Sequence, residues 1–489
     1  MQLRFLLTAV LLMVINLQAQ VVAPPGLSAI TAADLKKDLF ALAGDHFRGR
    51  EAGTLDELKA AVWWAAVIKA NGLKPAGDDG TYFQYFSIWR NRIAASSKIS
   101  IGGHSLQIWQ DVLIAQTAPA MLHVPIVYAG NASTEELDKL DLKGKAVALQ
   151  VSSAGIDINV SLPGRRYPGY ILRKYSADLL ARGAVAIIFI ADEMAEESWS
   201  QVLPALSRGL YDLEDGPNAS TTAKPPVLWI HGKNADWVQN NPMLDIQLLV
   251  ERFEYPSVNI VATVDGTDAV LKKEYVLYSG HNDHDGIRQA YGKDSIYNGA
   301  DDNASVSVAM LAIARAFKKA PGKRSVLFVF HGAEERGLLG SKWFAVHPTV
   351  PKTAIVAVLN GDMIGGNNPD SAALLGVQAP HRNSADLVAI ALAANKEGPA
   401  FKLDTLWDKP THIENWYFRS DHLPYARAGY PAIFYSTLLH PLYHTPMDEP
   451  GTINIKKLKR MTEWMYRTGW KLANAAARPA VDAGFKLER

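Results

Sequence analysis

The sequence predicts an α/β protein with a largely parallel sheet, and the second half of the chain carries the observations behind this prediction. Apolar runs suited to buried strands occupy residues 274–280, 324–330, 353–360 and 430–436. Segments with helical periodicity occupy residues 304–317, 384–396 and 455–475. Alternation of these two patterns is typical of an α/β sandwich, in which helices cover a parallel sheet.

The last helical segment shows the periodicity most clearly. One face carries five large apolar side chains, at Leu458, Met461, Trp464, Met465 and Leu472. Their spacing is that of a helix packed against a core. The segment predicts a long amphipathic helix near the end of the chain.

The first half of the chain predicts a second module. A chain of 489 residues exceeds one typical core, so two or three domains are expected. Between residues 92 and 254, short β-like runs alternate with long polar loops, and one helix is expected at about residues 176–182. We therefore predict a main domain formed by residues 21–91 and 255–489, with a β-rich domain inserted at 92–254.

The N-terminus has the pattern of a secretory signal peptide over residues 1–20. A positive start is followed by an apolar run and by a small residue near Ala19. An uncleaved anchor is the alternative, although the run is short for a membrane span. The prediction is an exported protein, periplasmic or extracellular, without stable membrane insertion after cleavage.

Composition limits the classes of partner and of metal ligand. The formal net charge of +1, without charge blocks, gives no electrostatic basis for binding nucleic acid. Cysteine is absent, so disulfides, thiolate ligands and a cysteine nucleophile are excluded. Any bound metal must be held by imidazole and carboxylate groups. The composition does not predict an oligomeric state.

Histidine and acidic residues collect where the predicted strands end. The candidates are His281, Asp283, Asp301, Glu334, Glu335, Asp362 and His444. Ligands of open α/β sheets bind beyond the carboxyl ends of the strands. A single residue of this kind is most often a cap or a surface group, but a set on consecutive strand ends indicates a site.

This set suits two metal ions. Two histidines and three carboxylates can hold a pair if one carboxylate bridges, and such ligands favour Zn²⁺, with Mn²⁺ or Co²⁺ as substitutes. A metal pair activates water and stabilises the carbonyl oxygen, and a nearby carboxylate must then move the proton. The adjacent Glu334 and Glu335 offer one residue for each task.

Five motifs resemble the M28 family of zinc aminopeptidases in content and in order. They are HND at 281–283, NGADDNAS at 298–305, GAEERGLLGS at 332–341, LNGDM at 359–363 and YHTPMD at 443–448. The resemblance covers residues 257–477. RGREAGT at 48–54 is similar to the start of such enzymes, although by itself the segment 45–54 suggests a surface loop. Residues 92–254 resemble the protease-associated (PA) domain inserted in some members.

The resemblance implies a three-layer sandwich of the phosphorylase/hydrolase-like exopeptidase type. It also implies that Asp301 bridges two Zn²⁺ ions, with a cis bond between Asp301 and Asp302. The metal ligands are completed as pairs: His281 with Asp362, and Glu335 with His444.

It further implies the roles of three residues that do not hold the metals. Glu334 is the general base and acid. Asp283 hydrogen-bonds His281, and Tyr443 donates to the developing oxyanion. The implied activity is that of a secreted exopeptidase, most simply an aminopeptidase acting on peptides.

Several assignments stay open at this point. The alternatives are a single-zinc transferase similar to glutaminyl cyclases, a carboxypeptidase or dipeptidase on the same scaffold, and a non-catalytic binding protein. His284 and His422 are candidates to contact substrate, whereas His331 is expected to support the site without binding metal. Trp407, Trp416 and Tyr417 are candidates to line the side-chain pocket.

Overall fold

A computed structural model of the protein describes residues 23–156, 162–218 and 222–489. The predicted signal peptide at 1–20 lies outside the described residues. No helix in the described part of the chain is both long enough and apolar enough to cross a membrane.

The described residues form eleven α-helices. In chain order they are α1 (Ala32–Leu42), α2 (Leu55–Ala70), α3 (Thr134–Leu137), α4 (Pro163–Ala181), α5 (Glu193–Arg208), α6 (Ala235–Asn240), α7 (Ser305–Lys319), α8 (Leu339–Val346), α9 (Ala385–Lys396), α10 (His422–Arg427) and α11 (Ile455–Asn474). The five apolar residues that predicted the last helix are all buried in α11.

The described residues also form twenty strands. They are β1 (Lys74–Pro75), β2 (Phe83–Ile93), β3 (Lys98–Ile101), β4 (His104–Leu106), β5 (Val112–Ile114), β6 (Ala120–Gly130), β7 (Ala146–Gln150), β8 (Ala186–Ile190), β9 (Leu210–Asp212), β10 (Val227–Ile230), β11 (Met243–Leu248), β12 (Val250–Val264), β13 (Tyr275–His281), β14 (Gly286–Tyr291), β15 (Asp294–Tyr297), β16 (Ser325–His331), β17 (Ile355–Gly361), β18 (Ser371–Leu375), β19 (Lys402–Asp404) and β20 (Ala432–Ser436).

A ten-stranded sheet organises the main domain. Its order is β19-β18-β20-β17-β13-β16-β12-β2-β9, with β1 paired to β12. The four central strands β16, β13, β17 and β20 are parallel, whereas β12 and β2 add antiparallel strands on one side. The sheet is therefore mixed with a parallel centre, and the predicted α/β class is confirmed.

Helices cover both faces of this sheet. Alternation along β13 sends Val276 and Tyr278 into a core shared with α1, α2, α7, α9 and α11. Leu277 faces the other side, in a core shared with α8 and α10. Because neighbouring strand residues point to opposite faces, a sheet buried on both sides needs the continuous apolar runs seen in the sequence. The result is three layers.

The segment between β2 and β12 carries a second sheet of eight strands, in the order β4-β3-β11-β6-β7-β8-β10-β5. Its core is separate and is built from residues such as Ile99, Ile188 and Ile246. The helix predicted at about 176–182 is longer than expected, since α4 begins at Pro163. A second helix, α5, was not predicted and packs beside α4.

Glu57 joins α2 to the start of the long apolar part of β12. Its carboxylate accepts hydrogen bonds of 2.7 Å from the Gly53 amide and 2.7 Å from the Ser257 hydroxyl. The residue is 2% exposed. Burial, together with the charge of Asp283, raises the pKa of Glu57 to about 8. The folded protein therefore holds a proton here that the unfolded chain releases.

We expect Glu57→Gln to stabilise the protein at pH 8 but not at pH 4. The folded-state pKa lies above the ordinary value of 4.5, so the contribution of Glu57 to stability falls as pH rises from 4.5 to about 8. The neutral amide removes this loss while still accepting from Gly53. Thermal unfolding should show a melting temperature about 2–4 °C higher at pH 8. Exposed Glu135→Gln serves as control, and an equal shift at both pH values would contradict the assignment.

Candidate active site

The predicted site residues lie at one end of the four parallel strands. His281 is the last residue of β13, and Asp362 directly follows β17. Glu334 and Glu335 begin a single helical turn after β16. His444 lies in the loop after β20. Because these strands are adjacent and parallel, their carboxyl ends bring the side chains into one buried pocket.

The first ligand group consists of His281, Asp302 and Asp362, each offering one atom within 4.8 Å of the others. His281 Nε2 lies 3.1 Å from Asp302 Oδ1 and 3.8 Å from Asp362 Oδ2. All three residues are buried. The group has the composition of a site for a divalent cation.

The second ligand group lies on the other side of the Asp302 carboxylate. His444 Nε2 is 3.2 Å from Asp302 Oδ2 and 3.3 Å from Glu335 Oε1. His284 Nδ1 approaches the same Glu335 oxygen at 2.8 Å. Asp302 thus presents one oxygen to each group. His284 lies beside the ligands rather than at an open surface, and it is a further candidate ligand.

The structure places Asp302, and not Asp301, between the two groups. Asp301 points away: its Oδ1 accepts from the Gly365 amide at 2.7 Å, and its Oδ2 lies 3.1 Å from His440 Nε2. The cis peptide bond is likewise one residue later than expected, at Asp302–Asn303. The two aspartates lie in a segment of irregular backbone before α7, where consecutive side chains point in different directions. The motif alone does not reveal which one faces the strand ends.

The donor atoms fit metal ions. The Nε2 atom of His284 is buried and has no hydrogen-bond partner among the described residues. Leaving such an atom unsatisfied costs about 1–3 kcal/mol. Imidazole and carboxylate groups arranged in this way suit Zn²⁺.

The histidine rings are oriented by acceptors behind them. The Nδ1 of His281 lies 3.0 Å from the backbone carbonyl of Asp283, whereas the Asp283 carboxylate is 3.8 Å away. That carboxylate instead accepts from the amides of Glu334 and Glu335, at 3.0 and 3.3 Å. Asp285 Oδ2 lies 3.1 Å from His444 Nδ1. Asp283 therefore positions the Glu334–Glu335 turn, and its carbonyl fixes His281.

Glu334 lies beside both groups without belonging to either. Its Oε2 is 3.8 Å from His281 Nε2, and its side chain is 10% exposed. Burial raises the pKa of Glu334 well above its usual range; His281 opposes this, while Asp421 and Glu335 raise the pKa further. A carboxyl group with a raised pKa is suited to accept and return a proton.

Tyr443 is held by a cation next to His444. Arg419 Nη2 donates to the Tyr443 hydroxyl oxygen at 2.8 Å, which leaves the phenolic proton available to another acceptor. Arg419 is itself paired with Glu414 at 3.1 Å. The residue after Tyr443 is the candidate ligand His444, so the hydroxyl lies at the edge of the site.

Other predicted residues serve the core. His331 Nδ1 lies 3.1 Å from Asn259 Oδ1, and burial lowers the pKa of His331 to about 3. His422 is fully buried and stacks on Phe434, so it does not face a substrate. Trp416 and Tyr417 are also buried. Of the three predicted aromatics, Trp407 lines a cavity beside Tyr443.

Arg50 was missed because its segment resembles a surface loop. The guanidinium is fully buried and donates to the backbone carbonyls of Asn282, Asn298 and Gly299, at 2.7, 2.8 and 3.1 Å. Asp448 was also missed, and it accepts from the amides of both Asp301 and Asp302. Both residues hold loops that carry candidate ligands. Their hydrogen bonds join segments that are far apart in the sequence, so no local sequence pattern predicts them.

The fold and these ligand groups define an α/β protein of the zinc peptidase class. Residues 259–468 match the model of Peptidase family M28. The match covers less than half of the chain, and over these residues the chain is similar to that family. The predicted resemblance to this family is therefore confirmed, whereas the inserted PA domain stays a prediction.

Individual proteins show the same similarity. A probable zinc metalloprotease of Leptosphaeria maculans is 24% identical over 269 residues, which are 48% of this chain and 62% of that protein. Aminopeptidase YwaD of Bacillus subtilis is 28% identical over 169 residues, 33% of this chain and 35% of YwaD. The aligned regions thus span at most about three fifths of these relatives.

Among solved structures, an aminopeptidase from Aneurinibacillus sp. strain AM-1 has a TM-score of 0.57 with 19% identity, covering 95% of this chain and 98% of that one. BSAP, a zinc aminopeptidase from Bacillus subtilis, has a TM-score of 0.57 with 19% identity, covering 94% and 99%. At this identity the likeness shows a shared fold.

The two neighbouring aspartates give a test of the geometry. We expect Asp302→Asn to weaken zinc binding by more than about 100-fold. Loss of a residue that only hydrogen-bonds a ligand weakens metal binding by about 10- to 100-fold, and loss of a direct ligand should weaken it more. Asp301→Asn should weaken it by about 10- to 100-fold at most. Zinc content after dialysis against graded chelator measures both, with circular dichroism as a folding control. A larger loss of zinc affinity in Asp301→Asn than in Asp302→Asn would contradict this geometry and assign the bridging role to Asp301.

Proposed function

We propose that this protein is a zinc-dependent aminopeptidase that uses two metal ions. The observation that carries the proposal is the Asp302 carboxylate, which presents one oxygen to each of two buried ligand groups. Glu334 lies beside the first group and outside both. The names of similar proteins support the choice of zinc and of aminopeptidase chemistry.

In this proposal His281 and Asp362 would hold one ion, Glu335 and His444 would hold the other, and the Asp302 carboxylate would be shared by both. His284 is positioned to join the second group. Bound Zn²⁺ supplies Lewis-acid polarisation of the scissile carbonyl and lowers the pKa of a bound water. Mn²⁺ or Co²⁺ offers similar chemistry to the same ligands.

The side chains around the ions perform the proton transfers. Glu334 accepts a proton from the attacking water and returns it to the leaving amine. Asp283 positions Glu334 through the amides at the start of the turn. The hydroxyl of Tyr443, held by Arg419, donates to the oxyanion that develops on the substrate.

An apolar cavity of about 480 Å³ adjoins Tyr443 and is suited to a substrate side chain. Trp407, Ile413 and Leu439 line it. We assign this cavity to the N-terminal residue of the peptide, which favours leucine-like side chains over charged ones.

The inserted segment and the leader remain part of the proposal. We infer that residues 92–254 form a PA-like domain that narrows access to the site through α4. Residues 1–20 are proposed as a cleaved leader for export to the periplasm or the exterior. N-terminal sequencing of the mature protein tests the cleavage.

The cyclase alternative requires only one zinc site. The presence of two ligand groups sharing Asp302 favours hydrolysis over that alternative. A carboxypeptidase or dipeptidase on the same scaffold is separated by the substrate tests described next.

We expect chelation to abolish hydrolysis of peptides with free amino termini, and Zn²⁺ to restore it. Because two ligand groups share Asp302, recovery should be complete at about two equivalents of zinc. Titration of apo-protein followed by a leucyl-p-nitroanilide assay measures this. N-acetylated peptides should resist cleavage. Efficient cleavage of blocked peptides would contradict an aminopeptidase, and cyclisation of N-terminal glutamine at one equivalent would favour the cyclase.

We expect Glu334→Gln to lower kcat by about 10²- to 10⁴-fold with bound zinc retained, because the amide cannot accept the proton. Steady-state kinetics and metal analysis measure the two effects separately. Exposed Glu135→Gln is the matched control and should behave like the wild type. Full activity of Glu334→Gln would exclude it as the base.

A further inference from the structure

A second cavity opens on the site from the opposite side of the His444 loop. It has a volume of about 530 Å³ and is bounded by α4, α5, β14 and residues 441–447. Its lining includes Arg165, Arg288 and His444, and none of the described lining residues is acidic. We call it the arginine cavity. It borders the second ligand group through His444.

Arg165 lacks an acidic partner. Its Nη1 lies 3.2 Å from His444 Nδ1, and in the described part of the chain no carboxylate forms an ion pair with it. His444 directs Nε2 at Asp302 and Glu335 and Nδ1 at Asp285. A ring that binds metal through Nε2 keeps its proton on Nδ1 and cannot accept from Arg165. Arg165 is only partly buried, so its guanidinium stays open to an acceptor in the cavity.

The position of Arg165 on its helix also favours an anion next to its guanidinium. It lies in the first turn of α4, whose N-cap residue, Leu162, gives no side-chain cap. The amino-terminal end of a helix carries partial positive charge, so a cation there is unfavourable unless an anion lies close. Both features favour an anion in the cavity.

Among the described residues, the nearby carboxylates are engaged by other arginines. Asp285 pairs with Arg288 and lies 3.4 Å from Arg336, while Glu51 lies 3.1 Å from Arg336 and 3.5 Å from Arg208. Two carboxylates therefore serve three arginines before Arg165 is counted. Burial, together with the charge of Arg336, lowers the pKa of Arg208 to about 10. Neither of these two carboxylates forms an ion pair with Arg165.

We propose that the arginine cavity is a subsite for a substrate carboxylate carried by the residue after the scissile bond. This inference rests on the proposed aminopeptidase function. The apolar cavity adjoins Tyr443 and the arginine cavity adjoins His444, and the two share Leu162 and Pro441. A short peptide that crosses the ligand groups can place an apolar N-terminal side chain in one cavity and a carboxylate in the other.

The carboxylate has two sources, which matched substrates distinguish. One is the free C-terminus of a dipeptide, tested with leucyl-glycine against leucyl-glycinamide. The other is an acidic second side chain, tested with leucyl-glutamic acid α-amide, whose side-chain carboxylate is free, against leucyl-glutamine amide. We expect kcat/KM to be about 10- to 100-fold higher for the charged member of at least one pair, as for a hydrogen bond to a charged group.

Variants of one helix link this preference to Arg165. Arg165→Gln should lower the charged-to-neutral ratio of kcat/KM by about 10- to 100-fold, mainly through KM. Arg165→Lys should recover part of the ratio, since it keeps the charge. The control is Arg173→Gln, which removes an exposed arginine two turns further along α4.

The outcomes separate this inference from the proposed function. A preference in the first pair assigns the site to the C-terminal carboxylate, and one in the second pair assigns it to an acidic side chain. Equal cleavage of both members of both pairs, or a ratio that Arg165→Gln leaves unchanged, would overturn the subsite while leaving the aminopeptidase intact. Failure to cleave any of the substrates or leucyl-p-nitroanilide would overturn the function itself.

Discussion

The sharing of one carboxylate by two groups of buried ligands is the constraint on which the site depends. Asp302 faces Glu335 and Asp362, and the side chains of all three are largely buried. Burial and the charge of Glu335 raise the pKa of Asp302, yet hydrogen bonds to His281 and His444 outweigh them and lower it. Such a concentration of negative charge is expensive unless cations balance it. The buried carboxylates at the strand ends therefore favour the binding of divalent metal, which would compensate their charge.

The rest of the domain supports the site by fixing the loops that carry the candidate ligands. Arg50 ties the loop after β13 to the loop before α7 through three backbone carbonyls. Asp448 holds the amides of Asp301 and Asp302 from the opposite side. Arg50 and Asp448 bind main-chain atoms. They therefore fix the backbone from which the candidate ligand side chains project, and their own side chains do not act as metal ligands. Ligand geometry is thus set before metal binds.

Local patterns in the sequence predicted the placement of the site but not the direction of each side chain. The apolar runs before His281 and Asp362 predicted where two strands end, because hydrophobic periodicity and composition can be read from a short stretch of sequence. The choice between Asp301 and Asp302 depends on backbone angles in an irregular turn. Helix α4 was missed over its first half, since Gly164, Pro168 and Gly169 disfavour a helix. Its buried Tyr167, Ile171 and Leu179 supply tertiary packing that outweighs this propensity.

The inserted segment also reaches the candidate catalytic groups through the first turn of α4. Arg166 pairs with Glu414 at 2.5 Å, and Glu414 pairs in turn with Arg419, which holds the Tyr443 hydroxyl. The neighbouring Arg165 lies against His444. One helical turn thus contacts the positioning network of the proposed oxyanion donor and the ring of a proposed ligand. A displacement of α4, which packs on the second sheet, would therefore alter both contacts together.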